Sequence, residues 1–245
     1  FPRAQVVFCG LNGPPEDVIR GGGNVTGVTE TWDPAGTLRV IDRLQPGVNE
    51  IVVLHDYTES GLGTRKNLDA VKTAFARRFR FRYLSARPVE SVLKELAGLP
   101  ETSAVLLMGY NTDSRGAVLD SAATGPLVAG HARVPVYTMD QTRFRGGVVG
   151  GSLLSGERQG ELAAAMAVRI LGGVSADEIP IIREPVAVLT FDYRALRRFG
   201  LPLDHLPPGS LIINRPTTFY HQYRSRIRAM AAVIFILSLL AIGLV

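Results

Sequence analysis

The 245-residue chain is 46% hydrophobic and 20% charged, a balance that excludes wholesale disorder and leaves ample core for one large domain or two small lobes. Its 26 Gly and 15 Pro follow no repeat and point to many tight connections rather than to a long-helix protein. A single cysteine, Cys9, excludes a disulfide framework and a cysteine zinc site, and the net charge of +5 is scattered over 27 basic and 22 acidic residues.

In chain order, Gln5 to Gly10 enters a β-strand almost at once. Ile51 to Asp56 is a second strand by its β-branched run, and the phase of Leu68, Val71, Phe75 and Phe79 predicts a helix over Asn67 to Arg80. Between them, Gly61-Leu62-Gly63-Thr64-Arg65-Lys66 lacks both the third glycine of a dinucleotide turn and the Walker spacing, and reads as an ordinary loop. The run Arg77-Arg78-Phe79-Arg80-Phe81-Arg82 mixes basic and aromatic residues, but its phase turns Phe79 and Phe81 inward and the arginines to solvent, so no nucleic-acid partner is expected. Phe81 to Leu84, Ala104 to Gly109 and Val134 to Thr138 supply further strands, separated by a helix carrying Val89, Val92, Leu93 and Leu96 and then by a weakly helical stretch. Strands alternating with helices predict a parallel sheet, here a complete α/β lobe over residues 30–145.

Residues 1–29 and 146–215 offer strands at Gln5 to Gly10 and Val186 to Phe191, with helices over Gly160 to Leu171 and Asp192 to Phe199. Two strands make a poor sheet, so these segments are expected to form a partial first lobe, with further strands preceding Phe1. Gly27, Gly146, Gly147, Gly150 and Gly151 mark the two crossings between lobes as candidate hinges. Residues 216–228 combine aromatics with Arg224, Arg226 and Arg228, as a juxtamembrane belt does. Ala229 to Val245 is a run of 17 residues without a charge, close to the roughly 20 needed to cross hydrocarbon, and reads as a truncated transmembrane helix.

The order Val6-Val7-Phe8 with Gly10 and Asn12, then Gly22-Gly23-Asn24-Val25-Thr26-Gly27-Val28, Val134-Pro135-Val136-Tyr137, and Gly160 through Gly172-Gly173 to Ile179-Pro180 resembles the substrate-binding family of ABC transporters, of the tryptophan/tyrosine type. That resemblance covers nearly the whole chain before the apolar run. It implies the type I periplasmic-binding fold, two Rossmann-like lobes of parallel sheet flanked by helices, of which the first is incomplete here. Phe191 to Pro202, Leu206 to Ser210, Asn214-Arg215-Pro216 and Phe219-Tyr220 resemble the closing segment of such domains where they serve as the extracytoplasmic sensor of membrane-bound histidine kinases or, less often, diguanylate cyclases. The implied protein sits in the inner membrane with its lobes outside, a homodimer through cytoplasmic domains that this segment lacks. The alternative it leaves open is the binding component of a transporter for amino acids or similar small solutes.

Ligands of open α/β sheets gather at the C-terminal ends of the strands. The residues there are Asn12, Asp56, Tyr57, Tyr110, Asn111, Thr112, Thr138 and Asp140, with Glu30 entering the second lobe beside a crossing. The set offers carboxylates for an ammonium, amides and hydroxyls for a carboxylate, and aromatic faces, which suits an amino acid or a related small organic molecule. His55, His131, His205 and His221 lie far apart, no Gly-x-Ser-x-Gly elbow occurs, and Cys9 sits in a strand, so no catalytic residue, metal or cofactor is expected of this segment.

Overall fold

A computed structural model of the protein describes residues 4–13, 15–19, 23–85, 87–216 and 223–234. Strands β1 (Val6–Leu11) and β2 (Val25–Thr29) pair in parallel, with the short helix α1 (Glu16–Ile19) between them. The chain then runs through α2 (Pro34–Leu44), β3 (Glu50–Leu54), α3 (Glu59–Val71), β4 (Arg80–Tyr83), α4 (Val89–Ala97), β5 (Ser103–Leu107), α5 (Ser121–His131) and β6 (Val136–Thr138). After β7 (Gly150–Leu154) come α6 (Gly156–Leu171), β8 (Ala187–Asp192), α7 (Tyr193–Arg198) and β9 (Leu211–Ile213). Among the described residues, strands β3 to β9 form one seven-stranded sheet in the order β4-β3-β5-β6-β7-β8-β9, parallel except where β7 meets β8.

The continuous apolar runs explain this sheet. Strand alternation sends Ile51, Val53, Ala104 and Leu106 to one face, where Leu38 and Ile41 of α2, Leu68 of α3 and Leu196 of α7 cover them. It sends Val52, Leu54, Val105 and Leu107 to the other face, beneath Val92 and Leu96 of α4 and Val128 of α5. The basic-aromatic run behaves as its phase dictates: Phe79 is buried, while Arg78 pairs with Asp42 and Arg80 and Arg82 pair with Glu50.

Three features differ from expectation. First, α3 begins at Glu59, well before Asn67, so the stretch read as a loop is helical. The Thr58 side chain caps it by accepting a hydrogen bond from Gly61 N at 3.2 Å, and a Cβ on Gly61 would stand 2.8 Å from the Gly109 carbonyl oxygen and closer still to Asp56 Oδ1. The glycine serves close packing of helix on strand end. Second, α2 is unforeseen, although Asp33 caps it from Gly36 N at 2.8 Å and Pro34 opens it.

Third, residues 146–215 divide between the two sheets. Only α6 and the segment through Ile179 and Ile182 pack on β1 and β2, around Val28 and Met166, whereas β7, β8, α7 and β9 belong to the large sheet. Gly150 and Gly151 therefore lie inside a strand and Gly146 and Gly147 in the turn leading to it, while Gly27 lies inside β2. A Cβ on Gly151 would overlap the Thr138 carbonyl oxygen, so that glycine admits the neighbouring backbone rather than marking a crossing. The chain crosses between sheets after Thr29, at Ser155 and near Val186, with Ser155 N donating to Val186 O at 3.0 Å.

Residues from Asn214 onward form a separate unit, in which residues 223–234 are helical and expose Arg224, Arg226, Arg228 and the first residues of the apolar run. No helix among the described residues is long and apolar enough to cross a membrane. Residues 217–222 of the expected juxtamembrane belt and residues 235–245 of the expected span lie outside the described residues.

Candidate functional site

An open cleft of about 1280 Å³ lies between the C-terminal ends of β1 and β2 and the flank of α3. One wall carries Asn12, Gly13, Glu30 and Thr31; the facing wall carries the α3 residues Glu59, Ser60, Leu62, Arg65, Lys66, Asn67 and Asp69. The first wall is anchored through its backbone. Glu30 N donates to Leu11 O at 2.8 Å, Thr29 N to Ile182 O at 3.0 Å, and Gln159 Nε2 to Thr29 O at 3.2 Å. On the second wall, burial works to raise the Asp69 carboxyl but is outweighed by Lys72, 2.6 Å away, Tyr83 Oη at 3.2 Å and Arg65 at 3.3 Å, which hold it below the usual carboxylate range. Glu30 has no such company, and burial pushes its carboxyl above the usual range.

Of the residues expected to meet a ligand, the cleft is lined by Asn12 and Glu30. Asp56, Tyr57, Tyr110, Asn111, Thr112, Thr138 and Asp140 gather instead at the C-terminal ends of β3, β5 and β6, where β3 and β5 are adjacent although the chain passes through edge strand β4 between them. There the carboxylates are engaged by the protein itself. Asp56 accepts from the backbone N–H groups of Thr58, Asn111 and Thr112 and from the Thr58 hydroxyl, and is 3% exposed. Asp140 accepts from Thr142 N at 2.8 Å and pairs with Arg143. Such carboxylates fasten loops by accepting from nearby backbone N–H groups.

Arg143, which the sequence did not single out, is buried and joins these loops: its guanidinium donates to Asp140, to Asn111 Oδ1 at 2.6 Å and to Ser121 Oγ at 3.4 Å. Two donors converge on Asn111 Oδ1, since the Ser121 hydroxyl adds a second contact at 2.9 Å, and this pair orients the amide. Arg143 Nε and Tyr110 Oη are buried without a partner among the described residues. Burial first, then the charges of Asp113, Asp56 and Glu90, push the Tyr110 phenol up to about 12. Thr138 is buried and donates to Leu107 O at 3.0 Å, while Tyr57 is 56% exposed, edge-on to His55. The α3 wall was missed because its glycines suggested a loop; Thr58 directly before an acidic residue was the overlooked start signal.

No known family model matches the sequence, and no curated protein matches it. Solved structures do share the fold. A substrate-binding protein with adhesive properties from Clostridium difficile, in a ligand-free, open form, is similar at a TM-score of 0.60 and 18% identity, covering 80% of this chain and 64% of its own. An ABC domain in complex with L-Trp from Streptococcus pneumonia is similar at a TM-score of 0.61 and 18% identity, covering 86% and 72%. A conserved domain protein from Vibrio cholerae follows at 0.58 and 15%, covering 84% and 70%. The chain thus spans roughly two thirds of the length of these proteins. The α/β architecture with a parallel-rich sheet flanked by helices, expected from the resemblance, is the architecture observed and the one these structures share.

Proposed function

We propose that this chain is the ligand-binding part of an extracytoplasmic sensor: a small organic molecule enters the cleft between the β1–β2 unit and the large sheet, and closure is transmitted to a membrane helix. The observation that carries the reading is the open cleft at the C-terminal ends of β1 and β2, walled by polar and charged side chains of both signs. The shared fold with a substrate-binding protein and with a domain bound to L-Trp supports it. The uncharged run after Ala229 supports anchoring in the inner membrane. The placing of the lobes outside rests on the resemblance of the closing segment to extracytoplasmic sensors, since Arg224, Arg226 and Arg228 by themselves favour a cytoplasmic start to the span. In this reading the segment itself performs no chemistry, and its output is a dimeric histidine kinase or a diguanylate cyclase elsewhere in the protein. The same fold neighbours support a second reading equally well, the binding component of an amino-acid transporter.

A metabolite screen by thermal shift on the intact protein tests the binding step. A true ligand raises Tm progressively with concentration, by the equivalent of about 2.7 kcal/mol at a hundredfold excess over Kd. Kinase or cyclase output that follows ligand supports the sensor; binding without output, beside a requirement for uptake, supports the transporter. Output that needs a partner protein and ignores every small molecule overturns both.

A further inference from the structure

The geometry points to Glu30 as the carboxylate that recognises a cationic group of the ligand, the role that the positions of Asp56 and Asp140 had suggested for them. This assignment deepens the proposed function and rests on the cleft being the ligand site. The acids of the strand ends are consumed internally: Asp56 by the Thr58, Asn111 and Thr112 loops, Asp140 by Arg143 and Thr142, and Asp113 by the backbone N–H groups of Val89, Arg115 and Ala117. Asp33 is likewise taken up by Gly36 N and by Ser152 Oγ at 2.7 Å. A carboxylate already holding several N–H donors has little left for a ligand ammonium.

Glu30 differs in each respect. Its side chain has no hydrogen-bond or ion-pair partner among the described residues, yet it is partly buried in the cleft wall. Its backbone is pinned to Leu11, and the neighbouring Thr29 and Thr31 hydroxyls bond each other at 3.0 Å, so the carboxylate is presented from an ordered segment. Burial without a partner penalises its charged form, a cost that an arriving ammonium offsets. Asp69, on the facing wall, already satisfies Arg65, Lys72 and Tyr83. Lys66 on that wall is exposed and without an ion-pair partner among the described residues, which leaves a cation opposite Glu30 for an anionic end. The ligand class that fits is a small molecule carrying an ammonium.

The experiment is calorimetric titration of the intact protein with the proteinogenic amino acids, L-tryptophan included, and with matched analogues lacking the amine, such as indole-3-propionate for tryptophan. The expected result is that at least one amino acid binds, its deaminated analogue fails, and Glu30→Gln weakens the amino acid by roughly ten- to a hundredfold. Glu30→Gln should keep or slightly raise Tm, because it removes an uncompensated charge; a clear fall in Tm would make Glu30 structural and overturn the assignment. Equal binding of the deaminated analogue, or unchanged affinity in Glu30→Gln, overturns it while leaving the cleft as a binding site. No binding by any compound of the panel overturns this assignment, whereas the proposed function falls only if the metabolite screen also finds no ligand.

Discussion

The central strands of the seven-stranded sheet and strand β1 begin from similar apolar sequences and bury them to different degrees. Every residue of β3, β5 and β6 is buried, with one core on each face of the sheet. In β1, Val6 is 43% exposed and Cys9 is exposed, and a single small core around Val28, Met166 and Ile179 holds the unit to α6. Covering both faces leaves the polar groups at strand ends little water to turn to, so Asp56, Asp140 and Arg143 bond one another's loops. At the ends of β1 and β2, Asn12 and Glu30 keep their side chains for the cleft. The large sheet is the fastener, and the small unit presents the free groups.

The largest effect is expected where this comparison overturns the reading of position 56. Asp56→Ala leaves the N–H groups of Thr58, Asn111 and Thr112 without their acceptor in a buried setting, and should cost roughly 3–5 kcal/mol in urea denaturation. A loss below about 1 kcal/mol, with ligand affinity abolished, would restore Asp56 as a ligand group. Next, the two cores should respond unequally. Leu106→Ala opens a cavity in a fully buried layer and should cost about 2–5 kcal/mol, whereas Val7→Ala in the half-covered strand should cost about 1 kcal/mol or less. Similar losses at the two sites would mean that the small unit is as tightly built as the large one.

Gly61→Ala separates two accounts by sign. Helix propensity alone predicts a gain of about 1 kcal/mol for replacing a glycine within a helix. The contact of α3 with Asp56 and Gly109 predicts instead a loss of roughly 1–3 kcal/mol, because the new methyl must push the helix off the strand end. A thermal melt of the single variant decides between them.

What could be read beforehand follows from which interactions are local. Ile51 to Leu54 and Ala104 to Leu107 announce buried parallel strands by composition alone, and α4 by the phase of Val92 and Leu96. The sheet to which Gly150 and Gly151 belong is not a local property: it depends on Phe191 and Thr138 lying alongside, far away in sequence. The same holds for the site. Strand ends could be named as the place where polar groups collect, and Asn12 and Glu30 were found there. Which of those groups are free depends on pairings such as Asp56 with Asn111 and Asp140 with Arg143, and only the folded arrangement decides that.

The smallest predicted effect tests how dry the end of β3 is. His55 is fully buried between Tyr57 and Tyr83; its Nδ1 donates to the Asp56 carbonyl at 2.7 Å, and in the neutral form its Nε2 accepts from the Ser85 hydroxyl at 3.2 Å. Burial, followed by the nearby Arg65 charge among the lowering influences, holds the imidazole below its ordinary value of 6.5. The folded state therefore refuses a proton that the unfolded chain accepts, so stability is full above about pH 6.5 and declines as pH falls toward the folded value. The slope of the decline cannot exceed about 1.4 kcal/mol per pH unit. His55→Asn retains a donor near the Nδ1 position while removing the titration, so the variant should be less stable at pH 7.5 but should lose less than the parent on going to pH 5.5. Urea midpoints of both proteins at the two pH values measure the difference. If the variant falls as steeply as the parent, His55 is solvated in both states, and the end of β3 is open to water rather than sealed by the loops that Asp56 fastens.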